Sequence, residues 1–278
     1  MSLGKEKLEK PLRKLRKLLK NTSKNPTPDE VHDLRTRSRR LEAILHALSL
    51  DEKRDAQCLL RAVAPIRKQA GKVRDMDVLT GFAATLAQND KTPCVVQLLE
   101  HLETERTRFA RKLRATVRRK QKKARRGLKR YSSVIQRKMK GAKNGAASTW
   151  QHHAMADALE LSAELAVWPR LATNNLHAYR LEVKQLSYVL QLAEDPSEHF
   201  LKMLNVTKDA IGEWHDWSVL AGIAAKVLED TCSVRKKIDE IAKKKLGHAL
   251  ALSERMRAAL RKNAKAKHSA DKRRSWSN

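Results

Sequence analysis

Apolar positions recur every three to four residues along almost the whole chain, which is the period of an α-helix packed on one side. Leu8, Leu12, Leu15, Leu18 and Leu19 make a first amphipathic helix, and the turn-forming cluster from Asn21 to Pro28 ends it. Thr27-Pro28-Asp29-Glu30 then reads as a helix start, with Thr27 as N-cap, proline at the first helical position and Glu30 completing a capping box. The helix it begins carries Leu34, Leu41, Leu45 and Leu48 on one face. A third helix is predicted from about Asp51 to Leu86, with Pro65 as an internal kink or break and a turn from Asn89 to Pro93. A fourth starts at Cys94; its stripe of Leu98, Leu102, Phe109, Leu113 and Val117 thins beyond Lys120. Gly141 to Ser148 reads as a linker.

The second half follows the same plan. It has a helix from about Thr149 to Val167, a break at Trp168-Pro169, a helix from about Thr173, a turn at Asp195-Pro196 and two further helices. Residues 265–278 are polar and basic without a stripe, and are expected to form a disordered tail.

The helix after Thr27 and the one after Thr173 are related residue by residue. Val31-His-Asp-Leu-Arg-Thr-Arg-Ser-Arg-Arg-Leu-Glu-Ala-Ile-Leu45 aligns without gaps with Leu176-His-Ala-Tyr-Arg-Leu-Glu-Val-Lys-Gln-Leu-Ser-Tyr-Val-Leu190, at an offset of 145. Each copy has a histidine, an arginine at i+3 and a cation at i+7: His32, Arg35 and Arg39, then His177, Arg180 and Lys184. Those offsets place the three on one helix face, opposite the apolar stripe that Tyr179, Leu186 and Leu190 form in the second copy. A solvated face has no reason to keep histidine first in both copies. A second pair of segments, Gly71-Lys-Val-Arg-Asp-Met-Asp-Val-Leu79 and Gly212-Glu-Trp-His-Asp-Trp-Ser-Val-Leu220, aligns at an offset of 141. Four helices per half, twice, is the simplest architecture. The predicted parts are a first bundle over 1–140, a linker at 141–148, a second bundle over 149–264 and the tail from 265, together one compact domain of long helices.

Composition agrees with an all-α fold, because Gly and Pro number only 9 and 7 in 278 residues and aromatics make up 4 per cent. Charge adds a function class. Lys and Arg total 60 against 31 Asp and Glu, a formal net charge of +29, and a polyanionic partner is the natural explanation for that much self-repulsion. Nucleic acid, an anionic membrane surface and a long phosphate chain all satisfy it. Cys58, Cys94 and Cys232 are odd in number and far apart, as expected of buried small hydrophobes in a reducing compartment. The start of the chain is charged before any apolar run, and no run approaches the ~18 apolar residues of a membrane span. A cytoplasmic, soluble protein is expected.

The His-Arg-cation helix and the Val-Arg-Asp-Met-Asp-Val-Leu element resemble the CHAD domain, a histidine-containing α-helical family, over nearly the whole chain to about Asn263. The resemblance implies two four-helix bundles related by a pseudo-twofold, with a basic groove between them that binds inorganic polyphosphate. It also implies association with polyphosphate granules. Some relatives are fused to a triphosphate-hydrolysing tunnel domain, for which this chain has no β-rich segment. Carried onto this sequence, the binding set is His32, Arg35, Arg39, Arg40, His177, Arg180 and Lys184, with Arg37, Arg74, Arg106 and His215 as additional contacts. Asp75 and Asp216 are expected to orient basic side chains of neighbouring helices. The second copy departs from the pattern at Glu182, Gln185 and Ser218, which stand where the first has Arg37, Arg40 and Asp77. Its wall of the groove is thus expected to be the weaker.

The chemistry suits that ligand. A base-free phosphate chain needs rows of cationic donors, with Arg giving bidentate forks and Lys a point charge. Asp75 and Asp77 diverge by about 200° on a helix, so no metal site is expected. No nucleophile-base arrangement, phosphate loop or cofactor motif is present, and a non-enzymatic binding protein is expected. The rival reading is a nucleic-acid backbone binder, for which the stretch from Arg106 to Ala156 without a single Asp or Glu is the main support. Against it, that stretch offers only Phe109, Tyr131 and Trp150 for stacking. A third reading, a structural coat on storage granules, overlaps the first.

Overall fold

A computed structural model describes residues 3–23, 25–47, 50, 52–88, 92–141, 147–190 and 197–274, with side chains described outside 3–8, 47, 138–141, 147–154 and 263–274. Among the described residues all regular structure is helical, in eight helices: α1 Leu3–Asn21, α2 Pro28–Ala47, α3 Arg54–Ala87, α4 Pro93–Gly141, α5 Ala147–Ala166, α6 Leu176–Leu190, α7 Glu198–Val227 and α8 Ser233–Arg274. Leu48, the Asn89 turn, residues 142–146 of the expected linker and the Asp195-Pro196 turn lie outside the described residues. None of the described helices is long and apolar enough to cross a membrane.

The start of α2 forms as its residue types dictate. Thr27 Oγ1 accepts from the Glu30 N–H at 3.2 Å, and Glu30 Oε2 accepts from the Thr27 N–H at 3.0 Å, which satisfies two of the N–H groups a helix start leaves over. Ser23 also donates to that Glu30 oxygen at 2.9 Å. The cap fixes the phase of α2, so Val31, Leu34, Leu41, Ile44 and Leu45 are buried while His32 and Arg40 are exposed. At α6 an asparagine does comparable work: Asn175 Oδ1 accepts from Ala172 N–H, and its amide donates to the Arg170 carbonyl, both at 2.9 Å. The helix starts at Leu176, three residues later than Thr173, because 173–175 form that turn.

The chain divides into two compact units, Met1–Gln151 with Gly222–Lys236, and His152–Ala221 with Lys237–Asn278. In the first, α1 and α3 each pack against both α2 and α4, which closes a ring of four helices. α3 runs unbroken through Pro65. The apolar stripe of α4 does not thin at Lys120 as predicted; Ala124, Leu128, Tyr131 and Ile135 are buried, and the helix packs far into its basic half. The signal was missed because alanine and tyrosine carry half of it. Gly127 lets α4 approach α3 here: a methyl group added to it would stand 2.9 Å from Leu59 Cδ1 and 3.2 Å from Leu59 Cβ. Arg106 ties the ring together, donating to Asp77 of α3 at 2.6 Å and to the Pro26 carbonyl at 3.2 Å.

The core of the second unit is built from α5, α6, α7 and α8, around Leu165, Tyr179, Leu186, Ile211, Trp214 and Met256. Trp214 and Trp217 are buried. Trp168 meets Tyr179 edge-on at 5.6 Å, and burial pushes the Tyr179 hydroxyl above its ordinary range. The carbonyls that end α5 are claimed by α8, where Arg261 donates to Ala166 at 2.8 Å and Arg257 to Trp168 at 2.6 Å. α8 then continues to Arg274, so residues 265–274 are helical where a disordered tail was expected. Ala, Lys and Arg are strong helix formers, and their propensity needs no apolar stripe. All three cysteines are free thiols.

Candidate anion-binding site

In the first unit the His-Arg-cation row of α2 runs along the side of α3. His32 is exposed and its Nε2 lies 3.4 Å from Thr36 Oγ1, one turn on. Arg35 is half-buried and passes over Gly71; a methyl group there would lie 3.9 Å from Arg35 Nε, an ordinary contact. Arg39 is half-buried with its Nε enclosed and without a hydrogen-bond partner among the described residues. The row continues to Glu42, which pairs with Arg67 of α3. Burial pushes the Glu42 carboxyl up from its ordinary value, against the opposite pull of Arg67 and Arg39. Arg74 of α3, one turn past Gly71, bonds Asp75 at 3.4 Å.

Two of the expected additional contacts are employed elsewhere. Arg37 points toward α1: it pairs with Asp33 at 2.9 Å, keeps 14% of its side chain exposed, and lines a pocket of about 370 Å³ with Lys14 and Lys17. Arg106 is held by Asp77 and Pro26, as described. The orienting role expected of Asp75 also moves. Among the described residues Asp75 pairs with its chain neighbour Arg74, whereas Asp77 reaches across to Arg106 of α4. Residue 77 lies nearer the α3–α4 contact, and its counterpart Ser218 has no charge with which to do the same.

In the second unit the equivalent row is drawn against α7. The His177 ring lies 4.6 Å from that of His215, centroid to centroid. Arg180 donates from Nε to the Lys208 carbonyl at 3.3 Å and fills the space over Gly212, where a methyl group would stand 3.0 Å from Arg180 Cζ and 3.1 Å from Nε. Lys184 is buried, with 7% of its surface exposed, although its phase sets it opposite the apolar stripe. Asp216 is 8% exposed. Lys208 binds Asn205 at 3.0 Å and Asp209 at 3.4 Å.

The same arrangement thus occurs in both units: the arginine three residues after the histidine lies over the glycine of the next helix. At Gly212 a side chain would contend for the guanidinium's place, whereas at Gly71 there is room for a methyl group. Arg67 and Lys208 are functional candidates missed in the sequence. Each lies one helical turn before its glycine, so extending the Gly71/Gly212 alignment by four residues finds them. His32, Arg35, Arg39, Arg67 and Arg74 come together along α2 and α3, with Arg40 exposed on the adjoining face. They form a cationic strip able to hold a row of phosphate oxygens by charge-assisted hydrogen bonds.

A family model described as the CHAD domain matches residues 6–225, which ends within α7. The crystal structure of the CHAD domain from the plant Ricinus communis superposes with a TM-score of 0.61 over 91% of this chain and 88% of that one, at 18% identity, a likeness of fold. No curated protein matches the chain.

Proposed function

Because the chain belongs to the CHAD domain family, we propose that it binds inorganic polyphosphate through the cationic strip of α2 and α3. The observation that carries this reading is the strip itself: a histidine and four arginines on two adjoining helices of one unit, with His32 and the neighbouring Arg40 exposed. The protein is a binding module without a reaction of its own, it acts in the cytoplasm on polyphosphate granules, and any nucleic-acid binding is weaker and backbone-directed.

Competition tests this. Labelled long-chain polyphosphate is held at about 150 mM salt, where surface charges beyond ~8 Å are screened, and duplex DNA or RNA is titrated in. Polyphosphate binding should survive equal concentrations of nucleic-acid phosphate; displacement at parity would make this a general polyanion binder. Histidine is the one member of the strip that changes charge near neutrality, and a bound polyanion favours its protonated form. Binding should therefore weaken as pH rises from about 6 to 8, and an affinity flat across that window would remove the histidines from the site.

A further inference from the structure

The outer face of α4 carries charge that neither the fold nor the α2–α3 strip uses. Between Arg111 and Arg137, ten lysines and arginines are exposed. At 100° per residue they fall within one arc of about 140°, opposite the buried Leu113, Val117, Leu128 and Ile135. Of the ten, Arg130 has an acidic partner, Asp55 at 2.7 Å, and the other nine have none among the described residues. No acid occurs on α4 after Glu105. Arg118 and Lys122, Arg119 and Lys123, and Lys122 and Arg126 are like-charged i,i+4 pairs, each of which weakens the helix. The row is about 39 Å long at 1.5 Å per residue. It ends at a pocket of about 450 Å³ where Arg130 and Arg137 meet Lys53 and Arg54 at the start of α3.

This face is separate from the strip. In the ring of four, α2 and α4 are opposite corners, each packed against α1 and α3. Along α3, the pocket at Arg54 and the crossing at Gly71 are about 25 Å apart. The partner's chemistry follows from what the row lacks. Phe109 is half-buried beside Lys72 and Arg108, at 5.3 and 4.8 Å, and Tyr131 is buried, so no ring is presented for bases to stack on. Duplex phosphates wind about their axis and meet a straight row only at intervals. A flexible, base-free phosphate chain follows all of it.

We propose that the outer face of α4 is a second polyphosphate-binding surface, so that one protein molecule bridges two chains and condenses them. This rests on the reading that the protein binds polyphosphate at all. The test uses the full chain and two variants: a row triple, Arg118→Gln, Lys122→Gln and Arg126→Gln, and a strip double, Arg35→Ala and Arg39→Ala. Circular dichroism establishes that both remain folded. The row triple should keep tight binding to a short chain, lose the light scattering that the wild type produces with a long chain, and lower the salt-dependence slope for the long chain by about 2. The strip double should retain a weaker, salt-sensitive binding through the row. Undiminished scattering by the row triple overturns the bridging proposal, as does loss of all long-chain binding in the strip double. If the row triple loses duplex DNA binding instead, the face belongs to nucleic acid and the proposal fails; if the strip double binds short chains like the wild type, it is the strip reading that fails.

Discussion

The α2–α3 face of the first unit and the α6–α7 face of the second start from one residue pattern and end in different states. On the first, His32 and Arg40 are exposed, Arg39 is half-buried, and Arg35 passes Gly71 with ordinary clearance. On the second, Arg180 is bonded to a main-chain carbonyl and fills the space over Gly212, the two histidine rings lie 4.6 Å apart and tilted, and Lys184 is buried. A cationic row is a binding surface only where its donors are not already spent. The charge substitutions agree, since the second copy has Glu182 and Gln185 in place of Arg37 and Arg40. We read the first face as the binding wall and the second as chiefly structural.

The largest expected effect is on the first face. Losing both Arg35 and Arg39 removes two sets of hydrogen bonds to charged oxygens, each contributing about 1.5–3 kcal/mol. Polyphosphate affinity should fall by about a hundredfold or more, measured by anisotropy, with the unfolding midpoint little changed because neither residue belongs to the core. Arg180→Ala should do the reverse, lowering stability by about 1–3 kcal/mol in denaturant as the Lys208 carbonyl loses a partner, while affinity moves much less. Equal affinity losses from the two faces would erase the distinction between them.

The glycines give a smaller, opposed pair. Gly212→Ala forces the Arg180 guanidinium aside and should destabilise by about 1 kcal/mol or more, as overpacking does. Gly71→Ala meets no such obstacle and should be neutral or stabilise by up to about 1 kcal/mol through helix propensity. Thermal unfolding of the two single variants settles which arginine is held more tightly. Smallest is Glu42→Gln. Removing a carboxylate from the row should strengthen polyphosphate binding by about two- to fivefold, as the loss of one weak ion pair frees Arg67. The Glu42 carboxyl is raised on folding, so the folded state holds its proton longer than the unfolded chain does. It therefore subtracts stability as pH climbs from the ordinary value of 4.5 through the raised one. That slope should be absent in the glutamine variant.

Much of the architecture is written along the chain. Helix starts were legible where a side chain caps them, as at Thr27 and Glu30, because a cap is a contact between residues three apart. Apolar phase identified Leu34, Leu41, Tyr179 and Leu186 as core, and the two aligned segments marked where the arginines and glycines would matter. The basic half of α4 was misjudged because alanine and tyrosine carry half of its stripe, and because Gly127, which packs against Leu59, looks like a gap in it.

Local pattern, then, decides what a helix is and which way each residue faces, since the 3.6-residue period ties position to direction. It does not decide what stands opposite. That Arg35 passes Gly71 with ordinary clearance while Arg180 fills the space over Gly212, that Asp77 rather than Asp75 reaches α4, that Arg37 turns to α1, and that Lys184 is enclosed all depend on neighbours distant in sequence. Those neighbours arrive only when the helices pack, and a charge's worth to a ligand is whatever packing leaves unspent.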